Sequence, residues 1–119
     1  LHRAGAIIAF GSDAPVTDPN PWPAIYSAVT RLTASGTVLP GGDSDAAVDQ
    51  RVSVGEALRM YTGAGITADG FGDGYSGLKV GGPADLVLLN ADPTRVEEEG
   101  LKGIRAVMTI IGGQVAWEC

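Results

Sequence analysis

The sequence predicts an α/β fold in which one strand–helix unit comes first and a β-rich tail follows. Two observations support this prediction. Residues 6–10 form a continuous apolar run that ends at Gly11, and such a run is typical of a strand buried on both faces of a parallel sheet. The end of the chain instead carries short apolar runs separated by glycine pairs, which is typical of strands joined by tight turns.

Length and composition narrow the possible classes of protein. A chain of 119 residues fits one small domain and is too short for a complete eight-stranded α/β barrel, which needs roughly 200 residues or more. An apolar fraction of 45% with 18% charged residues indicates a globular chain. The net charge of −6 and the lack of a long apolar run disfavour both nucleic acid and membrane as partners.

The first and last residues bear on the origin and compartment of the chain. Because it starts with Leu1 rather than Met, close to the predicted strand, we expect a piece of a longer protein whose true N-terminus, with any signal peptide, is missing. The single cysteine, Cys119, allows no internal disulfide and no Cys-based zinc site. It favours a cytoplasmic location.

Two helices are predicted between the first strand and the tail. Apolar residues spaced by three and four predict an amphipathic helix that starts near Pro23, with Trp22, Ile25, Tyr26, Val29 and Leu32 on its buried face. After a predicted loop at residues 36–50, Ser53 and Glu56 match a capping box. This second helix is expected to run to about Ala68, with Val54, Leu58 and Tyr61 on one face and Gly70 in a left-handed end.

The apolar pattern of the C-terminal tail predicts three strands. Residues 85–90 and 104–111 form two of them, and Gly112-Gly113 predicts a tight turn into a third strand at residues 114–117. We expect Asp85 at the entrance of the first of these strands. We expect the buried residues of the layer to include Val107, Ile110 and Val115.

Asp13 is the candidate for chemistry. A carboxylate at the carboxyl end of a parallel strand lies where α/β sheets and barrels place their sites. Gly11 and Ser12 allow a sharp turn before it, and Pro15 stiffens the chain after it. An aspartate that only caps a turn has the same local pattern, so the residues alone leave both roles open. We expect His2, the only histidine, to be a solvated helix residue rather than a metal ligand.

The loop around Asp13 resembles a known family. Residues 11–16, followed by Ala28-Val29-Thr30-Arg31, are similar to the last barrel strand and helix of metal-dependent amidohydrolases. The resemblance is to amidohydrolase family 3, which includes deacylases and N-substituted formamide deformylases. Three later segments resemble the next helix, the return into a small β-domain and a closing hairpin of that family, at residues 56–62, 77–89 and 109–115. The resemblance thus covers nearly the whole chain in the right order.

The resemblance implies a fold and a site. Residues 1–70 would be the C-terminal end of a TIM-type barrel, and residues 71–119 the C-terminal part of a composite β-sandwich. In the family, the aspartate after the last barrel strand touches the catalytic metal and accepts a proton from the attacking water. Asp13 is the matching residue, so we expect it to be both catalytic and metal-ligating. The other ligands of the divalent metal, expected to be zinc, are mainly histidines and are absent from this sequence.

Two functions follow as hypotheses. The resemblance implies the C-terminal segment of a metal-dependent hydrolase that acts on a non-peptide carbon–nitrogen bond in a small amide, formamide or cyclic amide. We expect this segment to be inactive alone, because it holds one ligand of the metal. The alternative is a small α/β binding or interaction module without catalysis, since a fold can persist without the activity of its relatives.

Overall fold

The computed structural model describes residues 1–42, 48–68, 70 and 77–119. Over these residues it has a 3₁₀ turn at His2–Ala4 and a 3₁₀ helix at Glu98–Gly103. The regular elements of the same residues are α1 (Trp22–Thr30), α2 (Val54–Tyr61), α3 (Gly63–Ala68), β1 (Leu86–Leu89), β2 (Ala106–Ile111) and β3 (Gln114–Glu118). The predicted domain boundary, at residues 70/71, lies at the edge of a range outside the described residues. The centre of the loop predicted at residues 36–50 also lies outside them. The division into two domains therefore stays a prediction.

Helix α1 forms as its apolar spacing predicts, except that Leu32 lies beyond its end, half-buried and bridged to Val38. Its first turn contains Pro23, which is tolerated there because the first helical N–H groups have no partner within the helix. The side chain of Asn20 instead accepts the N–H of Trp22 at 3.1 Å. The helix ends at Arg31, which has a left-handed φ of 58°. The buried side chains are Trp22, Ile25, Tyr26, Val29 and Thr30.

The capping box of α2 is confirmed. The Ser53 hydroxyl accepts the backbone N–H of Glu56 at 3.3 Å, and the Glu56 carboxylate accepts the backbone N–H of Ser53 at 2.7 Å. The single helix expected through Ala68 is interrupted, because Thr62 leaves helical geometry with φ −118° and ψ −92°. Two glycines in α3 make continuation unfavourable, since glycine is a poor helix former. Gly70 does have a left-handed φ of 77°.

The buried face of α2 differs from the predicted one. Ala57 and Met60 are its buried residues, whereas Val54, Leu58 and Tyr61 are half-buried around the core. Ala57 is fully buried within the cluster that includes the apolar face of α1. Because alanine has only a methyl side chain, the face of α2 that carries Ala57 can approach the core closely. This face is therefore buried, and Val54, Leu58 and Tyr61 lie beside it.

The core joins α1 and α2 to the 3₁₀ helix at Glu98–Gly103. Leu101 and Ile104, 0% and 4% exposed, pack in the same cluster as the α1 side chains. The Tyr26 hydroxyl donates to Glu99 at 2.6 Å, and the Lys102 ammonium lies 4.2 Å from the centre of the Tyr26 ring. The segment after residue 90 thus completes the core that α1 begins.

The tail forms an antiparallel sheet in the order β1-β2-β3. Gly112 and Gly113 have φ values of 57° and 80°, and two left-handed residues are what a two-residue hairpin turn with the native strand twist requires. The Gly112 N–H donates to the carboxylate of Asp85 at 2.7 Å, so Asp85 lies beside the entrance of β1 as predicted. The hairpin prediction is confirmed.

The predicted burial of the sheet is wrong. Val107 and Ile110 are half-buried, and Val115 is 55% exposed. Among the described residues, Leu89 is the one strand residue that packs against the core. A residue of a sheet becomes buried only when a second layer covers its face, and the described part of the chain places no such layer over β2 and β3.

The strand predicted at residues 6–10 does not form. These residues run without regular secondary structure, and Ile7 is 64% exposed. A parallel strand exists through hydrogen bonds to neighbouring strands, and no strand of the described residues pairs with this segment. The structure is therefore a small α/β unit with a three-stranded antiparallel sheet, and the TIM-type barrel and β-sandwich stay predictions.

No helix in the described ranges has the length and apolarity needed to cross a membrane.

Replacing Leu101 by Ala is expected to lower the free energy of unfolding by about 2–5 kcal/mol, because the lost side chain leaves a cavity in a fully buried site. Leu78, which is 84% exposed, provides the matched control, and Leu78→Ala should change stability by no more than about 0.5 kcal/mol. Urea unfolding measures both. Equal effects of the two substitutions would contradict the packing of the 3₁₀ helix on α1.

The carboxylate of Glu56 should make stability depend on pH. Hydrogen bonds from Ser53, and a smaller effect of His2, lower the pKa of Glu56 from 4.5 to about 2. A carboxylate with a depressed pKa stabilises the fold above its unfolded value, and that contribution is lost as the pH falls from about 4.5 towards 2. Glu56→Gln should therefore flatten the decrease of Tm between about pH 5 and pH 2.

The control for this measurement is Glu118→Gln, the same change at an exposed residue at the end of β3. Its Tm should follow the wild-type curve. Parallel curves for Glu56→Gln and the wild type would show that the capping carboxylate does not contribute to the pH dependence.

Candidate functional site

The segment that leads to Asp13 is attached to the end of α2. The Phe10 N–H donates to the carbonyl of Met60 at 2.8 Å. The Phe10 ring meets the Tyr61 ring edge-on, with centroids 5.6 Å apart and planes at 74°, an arrangement that aromatic pairs prefer. These contacts fix the chain three residues before Asp13.

The turn at Asp13 has an unusual backbone. Asp13 has φ 56°, a left-handed conformation that few residues other than glycine adopt, although aspartate is among the more tolerant. Two hydrogen bonds close the turn: the Val16 N–H donates to the Asp13 carbonyl at 2.8 Å, and the Thr17 hydroxyl donates to the Ser12 carbonyl. The Ala14–Pro15 peptide bond is cis.

The Asp13 side chain is exposed. Its carboxylate has no hydrogen-bond or ion-pair partner among the residues that the structure describes. Downstream, the Asp18 side chain accepts the N–H of Asn20 at 2.7 Å, and the Asn20 side chain accepts the N–H of Trp22, the first residue of α1. The carboxylate therefore lies on a loop held at both ends, with its oxygens available.

Two open concavities lie near this loop. One, of about 510 Å³, lies between the N-terminal segment, α1 and α2, and is lined by residues such as Phe10, Arg31 and Met60. A shallower one, also of about 510 Å³, is bounded by Gly11, Ser27 and Tyr61 among others. Asp13 lines neither of them. Its position at the mouth of a catalytic site stays a prediction.

The carboxylates that line the larger cleft already have partners. Glu56 caps α2 and lies 3.1 Å from Nε2 of His2. Asp49 is paired with Arg51 at 3.1 Å, and hydrogen bonds from the Arg51 side chain and backbone lower the pKa of Asp49. His2 lies in a 3₁₀ turn and is 42% exposed. Glu56 and Asp49 are thus engaged in structural contacts, whereas the Asp13 carboxylate has no partner among the described residues.

Tyr61 carries a polar hydroxyl, although the sequence pattern places it only on an apolar helix face. Its hydroxyl oxygen is buried and has no hydrogen-bond partner in the described part of the chain. Burial raises the pKa of Tyr61, so the phenol stays protonated at neutral pH. Nothing in the helical spacing distinguishes such a tyrosine from an apolar neighbour.

The described residues do not by themselves form a complete metal site. Over the described ranges, no three histidine, cysteine, aspartate or glutamate side chains come together where an ion would bind. Zinc takes three or four protein ligands. The exposed carboxylate of Asp13 suits a single ligand position by its chemistry, but it does not build the site alone.

The chain is similar to known proteins over nearly its whole length. The model of a family described as the amidohydrolase family matches residues 1–117. The chain is 30% identical over 115 residues to the N-substituted formamide deformylase of Arthrobacter pascens, covering 97% of this chain and 20% of that protein. It is also 30% identical over 120 residues to a Bacillus subtilis (strain 168) protein named as an amidohydrolase, YtcJ, covering 99% of this chain and 22% of that protein.

The chain thus spans about a fifth of the length of these curated relatives. No solved structure matches it significantly.

Proposed function

Since this chain belongs to the amidohydrolase family, we propose that the enzyme containing it hydrolyses a carbon–nitrogen bond in a small amide, formamide or cyclic amide. The name of the Arthrobacter relative, a deformylase of N-substituted formamides, supports this class of substrate. The observation in the structure that carries the proposal is Asp13, whose free carboxylate lies on a turn fixed by hydrogen bonds and by anchors on two helices.

In this proposal Asp13 acts as a general base and then as a general acid. Its carboxylate accepts a proton from the water that attacks the carbonyl carbon, and the same oxygen returns the proton to the leaving nitrogen. General acid–base catalysis needs a group within hydrogen-bond reach of both atoms. A carboxylate engaged in a cap or an ion pair, such as Glu56 or Asp49, is less suited to this task.

We also propose that Asp13 is one ligand of a divalent metal, expected to be zinc, in the complete enzyme. When bound, such an ion polarises the carbonyl and makes water a stronger acid. The remaining ligands are proposed to come from parts of the enzyme outside this sequence, with residues 1–70 at the end of a barrel and residues 71–119 in a β-sandwich. The isolated chain is accordingly proposed to be inactive.

Asp13→Asn in the complete enzyme should lower kcat by about 10²–10⁴-fold, because asparagine keeps the size of the side chain but loses the basic oxygen. KM and the thermal unfolding midpoint should change little, since the exposed carboxylate makes no packing contact. The measurement is amine release from an N-substituted formamide or amide in the presence of added zinc.

The matched control is Asp18→Asn, the same change five residues along the same loop. Asp18 accepts a backbone N–H, and asparagine can replace it there, so turnover should stay near wild type. Wild-type turnover in Asp13→Asn would remove Asp13 from the catalytic machinery. No amide hydrolysis by the complete wild-type protein would favour the non-catalytic binding module instead.

A further inference from the structure

One side chain, that of Thr17, helps to close the turn that carries Asp13. Within residues 11–17, the hydrogen bonds of the turn are the backbone bond from Val16 to the Asp13 carbonyl and the bond from the Thr17 hydroxyl to the Ser12 carbonyl. Thr17 is exposed, so its side chain contributes this hydrogen bond rather than packing. The bond spans the residue at which the backbone is left-handed.

The Ser12 carbonyl belongs to the peptide unit that joins Ser12 to Asp13. The orientation of a peptide plane sets ψ of the residue before it and φ of the residue after it. A hydrogen bond that holds this carbonyl therefore holds φ of Asp13 at 56°. Without that bond, rotation of the peptide plane lets Asp13 relax towards the negative φ that residues with a Cβ prefer.

Building on the proposed function, we infer that Thr17 is a positioning residue for Asp13. Its hydroxyl fixes the Ser12–Asp13 peptide plane and so fixes the direction in which the carboxylate leaves the backbone. Thr17 does not touch the substrate. It acts on turnover through Asp13, because a misplacement of about 1 Å in a reacting group can cost up to about 100-fold in rate.

Thr17→Val, Thr17→Ser and the wild type in the complete enzyme test this role. Valine has the shape of threonine without the hydroxyl, and serine keeps the hydroxyl. Thr17→Val should lower kcat by about 10- to 100-fold with KM unchanged, and Thr17→Ser should restore most of the loss. Circular dichroism and the unfolding midpoint should be the same for all three, because residue 17 is exposed.

A second readout does not depend on activity. Hydrogen–deuterium exchange of the peptide that contains residues 12–17 should be faster in Thr17→Val than in the wild type and Thr17→Ser, because the Val16 amide lies in the same turn. The matched control is Thr67→Val, which removes a hydroxyl that donates to the Gly63 carbonyl at 3.0 Å in α3. It should change neither kcat nor exchange in residues 12–17.

Parallel assay of Asp13→Asn separates this inference from the proposed function. Loss of turnover in Asp13→Asn with normal kcat or normal exchange in Thr17→Val would overturn the role of Thr17 alone. Failure of serine to restore kcat would also overturn it, because a hydroxyl is then not what the position needs. Normal turnover in Asp13→Asn would overturn both.

Discussion

The packing of α1 against the segment after residue 90 is the interaction on which the structure depends. Tyr26 is 1% exposed and lies among Ile25, Leu101 and Ala57, which come from three separate elements. Its hydroxyl reaches Glu99 at the edge of this cluster, so the buried ring keeps its polar end satisfied. Within the described ranges, this cluster joins α1 and α2 to the C-terminal part of the chain.

The position of the candidate site follows from this core. The loop with Asp13 is fixed before it by Phe10 on the end of α2, and after it by Asn20 on the start of α1. Both helices contribute to the same buried cluster, so the two ends of the loop are fixed relative to each other. The loop can therefore be exposed and still keep a defined backbone, which is how loops on rigid scaffolds carry functional groups.

Several apolar side chains and the Asp13 carboxylate are exposed on the described part of the chain. Ile7, Ile111 and Val115 are 64%, 61% and 55% exposed, whereas Phe10 packs against the core. The chain also spans only about a fifth of its curated relatives. Asp13 lies on a turn with a defined backbone, but the described residues do not complete a metal site around it.

The sequence by itself determined α1, the capping box of α2, the glycine hairpin and the candidate Asp13 with its family. Each of the three structural features depends on residues within a few positions of one another, so its pattern is visible locally. The tertiary structure decided what depends on distant partners. Among the described residues, no strand lies beside residues 6–10 and no layer covers Val115, whereas Leu101 is buried in the cluster that α1 and α2 form. It also decided that the buried Tyr61 hydroxyl has no partner within the described ranges and that the Thr17 hydroxyl bonds the carbonyl before Asp13. Hydrogen bonds and burial are set by the path of the chain in space.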